Sequence, residues 1–134
     1  MTPAFVVAAL LAVVNAAPAH YITIRHQPVG CHAWSLDDGQ FRTSLSVTLR
    51  HGDAIEFVND DAMSHRLVEL SGPTLALPPT LVQSTFRHRG GGAAAVTFTR
   101  PGTYRLRMID DETDSKPLPT TGVDNNLRLT VLVR

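Results

Sequence analysis

Short segments in which apolar and polar residues alternate recur along this chain, and they restrict its fold more than any other feature. In the clearest of them, residues 43–50, the side chains of Leu45, Val47 and Leu49 fall on one side. Alternation with a period of two residues is typical of strands that bury one face. Segments of strand-like pattern or composition also cover residues 21–26, 54–59, 66–71, 95–100, 103–109 and 127–133.

Turn-forming residues separate these segments. His51-Gly52-Asp53 and Pro101-Gly102 each predict a hairpin between the flanking strands, and the prolines of residues 73–80 indicate a surface loop. We also expect a short edge strand at residues 83–89 and a long polar connection over residues 110–126. With seven or eight short strands and no helix after the N-terminal segment, the sequence predicts an all-β sandwich of two sheets.

Length and charge limit the possible partners. The chain has 134 residues, and its 12 Lys and Arg balance its 12 Asp and Glu. This length suits one domain after a short leader, and a net charge of zero argues against nucleic acid as a partner, since that requires a basic surface. We therefore expect a small or neutral partner.

The N-terminal segment predicts export. Residues 1–19 carry no charge, and their apolar run from Ala4 to Val14 is too short to span a bilayer but suits a signal peptide. Ala17-Pro18-Ala19 supplies the small residues that precede a cleavage site. We expect a signal peptide at 1–19, a mature domain at 20–134, a periplasmic or secreted location and no membrane contact after cleavage. No Lys or Arg precedes the run, so a retained anchor is the alternative.

Four residues are candidate metal ligands: Cys31, His32, His65 and Met108. Cysteine, histidine and methionine together form a soft donor set. The lone cysteine of an exported chain can be an apolar filler, a dimer disulfide or a metal thiolate, and the adjacent histidine favours the last. Neighbouring strand residues point to opposite faces, so Cys31 and His32 can both bind one ion only if the backbone bends at Gly30.

Two other segments carry a family resemblance. FVNDDAMSH followed by RLVEL resembles the strand, loop and first histidine ligand of cupredoxins, and VTFTRPGTYRLRM is similar to their last hairpin. The resemblance implies a cupredoxin-like Greek-key sandwich with one copper ion. Met108 occupies the position of the family's copper-binding cysteine, and no histidine follows it in residues 109–120. The resemblance thus implies a permuted ligand set, with Cys31 as thiolate, His32 and His65 as imidazoles and Met108 as thioether.

Such a site would support electron transfer or copper carriage, with a redox partner or a copper-handling protein. Two alternatives remain. Cleavage before His20 would give an amino-terminal histidine that can chelate Cu(II), and a metal-free sandwich could serve as an interaction module, with Cys31 and Met108 as core residues. Met108 alone, on the apolar face of its strand, is more typical of a core.

We do not expect an enzyme, since the chain lacks a nucleophile elbow and an HExxH motif. The acidic pairs at residues 60–61 and 110–111 are interpreted as solvated loops. Met63 is expected to be exposed in its loop as a spare thioether. No role is assigned to His26, His51 or His88.

Overall fold

The structure, a computed structural model, describes residues 17–82, 92–111 and 126–134. Every regular element within these ranges is a β-strand. The strands are β1 (His20–Gln27), β2 (Cys31–Leu36), β3 (Ser44–Leu49), β4 (Ala54–Asp60), β5 (Ser64–Ser71), β6 (Ala93–Thr97), β7 (Gly102–Asp111) and β8 (Leu127–Val133). Residues 1–16 of the predicted signal peptide, the predicted strand at 83–89 and most of the polar connection at 110–126 lie outside the described residues.

The eight strands form two four-stranded sheets. One has the order β2-β1-β4-β6 and the other the order β3-β8-β7-β5. The pairs β1–β4 and β3–β8 are parallel, and the other neighbours are antiparallel. This arrangement confirms the predicted all-β sandwich of two sheets. In the ranges given above, no helix has the length and hydropathy needed to cross a bilayer.

The two predicted hairpins at His51-Gly52 and Pro101-Gly102 are wrong. β3 and β4 lie in different sheets, and so do β6 and β7. Each turn carries the chain across the sandwich, so that the two flanking strands face the same core from opposite sides. Alternation shows which face of a strand is buried, but it does not show which sheet the strand joins.

The apolar faces of both sheets meet in one core. In β7, Tyr104, Leu106 and Met108 are buried whereas Arg105 is exposed, which confirms the predicted face of that strand. The largest fully buried apolar side chains of the core are Trp34, Tyr104, Phe57, Phe98, Ile22, Ile24, Ile55, Leu106, Leu127 and Leu129. Burial of one such side chain stabilises a fold by about 1.5–3 kcal/mol.

At one pole of the sandwich, the inner faces end in polar residues. The core face of β1, with Ile22 and Ile24, continues to His26, and His32 lies opposite His26 in β2. In the other sheet, His65 at the start of β5 lies opposite Asp110 near the end of β7. The inner-face residues at this pole are His26, His32, Asn59, Asp61, His65 and Asp110. The strand order therefore gathers them from both sheets.

Candidate metal centre

Two histidines and two aspartates form a closed cluster at this pole. The Nε2 atoms of His32 and His65 lie 2.9 and 2.7 Å from Oδ2 of Asp61. Their Nδ1 atoms lie 3.2 and 2.9 Å from the two carboxylate oxygens of Asp110. The two rings are nearly perpendicular, with centroids 4.8 Å apart. Each carboxylate thus bridges both imidazoles, Asp61 on the Nε2 side and Asp110 on the Nδ1 side.

The cluster is almost sealed from solvent. The side chains of His32, His65 and Asp61 are 0% exposed, and only that of Asp110 reaches solvent, with 22% of its surface. Charged groups are buried at this depth only when they are paired, because desolvation costs several kcal/mol for each ion. The fold at this pole therefore requires that the imidazoles pair with the carboxylates.

The two carboxylates change the protonation of both histidines. Burial alone would lower the pKa of His32, but contacts with Asp110 and Asp61 outweigh it and raise the pKa to about 9. The pKa of His65 is raised for the same reason. Burial would raise the pKa of Asp61 and of Asp110, yet their contacts with the two imidazoles lower both. Without a metal ion, the cluster thus favours imidazolium and carboxylate ions that neutralise each other.

Asn59 fixes the short connection that carries Asp61. Its Nδ2 lies 2.8 Å from the carbonyl oxygen of Met63 and 3.2 and 2.8 Å from those of Leu81 and Val82. Its Oδ1 accepts a hydrogen bond of 3.0 Å from the backbone N–H of Asp61. The buried amide of Asn59 therefore links two residues of the connection between β4 and β5, Asp61 and Met63, with the segment at residues 81–82.

A strained turn brings the cysteine sulfur to the cluster. Gly30 and Cys31 have φ values of +80° and +70°, and the N–H of His32 donates to the carbonyl of Gly30 at 2.9 Å. This bond defines a γ-turn with positive φ at Cys31, the rarer form, which costs about 1–3 kcal/mol for a non-glycine residue. The turn leaves Sγ of Cys31 at 3.4 Å from Nε2 of His32. The bend required at Gly30 is present.

Several of the sequence interpretations are corrected here. Asp61 and Asp110 are not solvated loop residues: Asp61 is buried, and Asp110 belongs to β7. Met63 is buried rather than exposed. His26, to which no role was assigned, lies opposite His32 across the β1–β2 pair, with ring centroids 6.3 Å apart. The alternation of β1, β4 and β7, followed to the strand ends, is the signal that could have found them.

The structure places three of the four predicted ligands at this pole: Cys31 lies next to His32 in one group of possible ligand atoms, and His32 lies next to His65 in another. Cys31, His32 and His65 are all at most 5% exposed there. Met108 lies in the apolar core, two residues before Asp110 on the same face of β7 and opposite Leu67.

His20, the alternative ligand, begins β1 at the other pole. Its Nδ1 lies 2.5 Å from Oδ2 of Asp37. At about 3.3 Å per strand residue, His20 is roughly 20 Å along β1 from His26. An amino-terminal site would therefore be separate from the cluster.

The donor atoms are of the kinds that bind first-row metal ions. His32, Asp61 and His65 offer ligand atoms within 4.8 Å of one another, and so do His26, Cys31 and His32. Donors around a four-coordinate ion with bonds of about 2.0–2.3 Å lie roughly 3.3–3.7 Å apart. The 3.4 Å between the cysteine sulfur and Nε2 of His32 matches this spacing. Thiolate and imidazole together suit copper, whose Cu(I) state sulfur stabilises.

Comparisons with known proteins give similar folds only. No family model and no curated protein matches this chain. Among solved structures, it is similar to a purple cupredoxin from Nitrosopumilus maritimus, with 15% identity, a TM-score of 0.49, and 85% of this chain and 98% of that chain covered. It is also similar to a reduced Cu(I) form of an amicyanin variant, with 18% identity, a TM-score of 0.46, and 90% and 87% covered. The first of these is a cupredoxin, the family that two segments of this sequence resemble.

Fold and site together define a two-sheet β-sandwich with a buried cluster of imidazoles, carboxylates and one thiol at one pole. These side chains supply the donor atoms for a metal ion. Cys31 approaches His32 on its Nε2 side, the side on which Asp61 contacts both histidines.

Proposed function

We propose that this chain is an exported protein that binds one copper ion through Cys31, His32 and His65. Two observations support the proposal: the sulfur of Cys31 lies 3.4 Å from Nε2 of His32, and Oδ2 of Asp61 contacts the Nε2 atoms of both His32 and His65. Met108 is the proposed thioether ligand. It lies in the apolar core, two residues before Asp110 on the same inner face of β7. When bound, copper would supply one-electron chemistry between Cu(I) and Cu(II).

The two aspartates have different tasks in this proposal. The carboxylate of Asp110 lies 3.2 Å from Nδ1 of His32 and 2.9 Å from Nδ1 of His65, so it would orient both rings and leave their Nε2 atoms for the ion. A carboxylate behind a metal-binding histidine commonly does this, and it also makes the ring a stronger donor. Asp61 lies on the Nε2 side, where it is available as a further oxygen ligand.

The proposed activity is electron transfer or copper carriage rather than catalysis. Ligands supplied entirely by four side chains would leave little room for a substrate, and a site held by two sheets would reorganise little when the ion changes its charge. The partner would be a redox protein or a copper-handling protein, in the periplasm or outside the cell. Residues 1–19 would be the signal peptide and 20–134 the mature domain.

The test is a titration of the metal-free protein with Cu(II). We expect an intense visible band from charge transfer between thiolate and copper, and we expect Cys31→Ser to abolish it while the protein stays folded. If the wild type binds copper without colour and the serine variant binds equally well, the thiolate site is wrong. His20 at the amino terminus then becomes the better candidate.

One observation favours the metal-free interaction module as a second candidate. Both imidazoles lie within 3.2 Å of carboxylate oxygens, and their raised pKa values favour imidazolium ions, which would balance the two carboxylates without a metal ion. That function predicts that copper at one equivalent changes neither the spectrum nor the melting temperature. Copper that binds the native protein raises the melting temperature, because ligands of the folded state stabilise it by mass action.

A further inference from the structure

We infer that His26, Cys31 and His32 form an outer ligand set through which copper enters and leaves, an inference that rests on the proposed function. The imidazole of His26 would be the first protein ligand of an incoming ion and the last of a departing one. This assigns His26 to copper exchange and leaves the final site to Cys31, His32 and His65. It also favours copper carriage over a permanently bound electron carrier.

Strand register creates this outer set. His26 and His32 lie directly opposite in the antiparallel pair of β1 and β2, and their side chains share the inner face. The γ-turn directs the sulfur of Cys31 toward the same point. Ligand atoms of the three residues all lie within 4.8 Å of one another. One thiolate and two imidazoles are a known set of ligands for copper in proteins.

Solvent exposure distinguishes His26, in the outer set, from the ligands of the proposed final site, which is called the inner set: Cys31, His32 and His65. Cys31 is 5% exposed, and His32 and His65 are 0% exposed, whereas His26 is only partly buried. His26 is also next to the exposed turn formed by Pro28 and Val29. Of the residues with sulfur or imidazole donors at this pole, His26 is the most exposed, although its Nδ1 is buried. We therefore assign the first contact with an incoming ion to its Nε2. Asp110, with 22% of its side chain exposed, marks the competing route.

Shared ligands make exchange possible without release of the ion. His32 belongs to both groups of ligand atoms that the structure shows, and Cys31 belongs to the outer set and to the proposed final site. Movement to the final site would therefore keep these two ligands, replace His26 by His65 and add the proposed thioether of Met108. The copper–His26 bond breaks as the copper–His65 bond forms, and the oxidation state of copper does not change. A ligand used only in transit speeds capture and release equally, so it alters both rate constants while their ratio, the affinity, stays the same.

Three variants of His26 distinguish the loss of a copper ligand from a change in side-chain size. His26→Leu removes the donor, His26→Met replaces it with a thioether of nearly the same volume as leucine, and His26→Ala opens the space. His51→Ala is the control, because it removes an exposed imidazole from a turn at the other pole. Each protein is loaded with Cu(I), and transfer to a chromophoric Cu(I) chelator is followed by stopped flow. Affinity is measured by equilibrium competition with the same chelator.

We expect His26→Leu and His26→Ala to slow transfer at least tenfold with an affinity within threefold of wild type, and His26→Met to restore most of the rate. The Cu(II) charge-transfer band should remain in all of them. Equal rates in wild type and His26→Leu would overturn the inference, and so would faster transfer in His26→Ala, which indicates a steric barrier. A wild type without the band contradicts the proposed function itself, which keeps the two failures distinct.

Discussion

Replacement of His65 with alanine is expected to lower the free energy of unfolding of the metal-free protein by about 3–5 kcal/mol. His65 is fully buried, and its two nitrogens lie 2.7 and 2.9 Å from the carboxylates of Asp61 and Asp110. Without this imidazole, the buried carboxylate of Asp61 and the partly exposed carboxylate of Asp110 share the single ring of His32. The same change removes a proposed ligand, so the affinity for copper should also fall. Urea unfolding followed by circular dichroism measures the loss.

A double-mutant cycle tests the cause of that loss. If the cost comes from unpaired buried charge, Asp61→Ala added to His65→Ala should cost at least 1 kcal/mol less than the sum of the single changes, as for residues in direct contact. His51→Ala should change stability by less than about 0.5 kcal/mol, because its side chain is exposed. Strict additivity, or a loss below about 1 kcal/mol for His65→Ala, would be inconsistent with a paired buried cluster.

Asn59→Ala is expected to destabilise the protein by about 2–4 kcal/mol, because a buried polar group left without its partner costs about 1–3 kcal/mol. Asn59 is fully buried, and its amide serves carbonyls at Met63, Leu81 and Val82. It also accepts from the N–H of Asp61. Thermal and urea unfolding measure the effect, and copper affinity should fall in the same variant because the connection before His65 loosens.

Two further substitutions define the role of the amide. Asn59→Asp keeps the acceptor for Asp61 but cannot donate when ionised, so it should destabilise at least as much as alanine. Asn126→Ala is the matched control, because Asn126 accepts an exposed hydrogen bond from Arg107 at 2.7 Å. It should change stability by less than about 0.5 kcal/mol. If Asn59→Ala changes stability as little as Asn126→Ala does, the amide of Asn59 does not hold the connection between β4 and β5 in place.

The strands were predictable because alternation is a local property. The buried face of β7 follows directly from Tyr104, Leu106 and Met108. Sheet membership was not predictable in the same way, since β3 and β4 pair with β8 and β1, which are distant in sequence. Turns between consecutive strands look alike in sequence whether the chain stays in its sheet or crosses to the other.

The histidines and the cysteine of the cluster were identifiable by their chemistry, but its aspartates were not. Carboxylates usually lie at the surface, and Asp61 and Asp110 occur in acidic runs that suggest solvated loops. Their burial depends on two imidazoles supplied by other strands, and that proximity exists only after folding. Followed strictly, the period of β4 leads through Ile55 and Phe57 to Asn59, and Asp61 continues it.

Copper K-edge X-ray absorption of the copper-loaded protein tests the central claim most directly, because it identifies the atoms bound to the metal. The account predicts imidazole nitrogens and a sulfur in the first shell, with that sulfur absent in Cys31→Ser. A second, weaker sulfur that disappears in Met108→Leu would identify the thioether. A shell of nitrogen and oxygen alone in the wild type, or one unchanged by Cys31→Ser, would contradict the account.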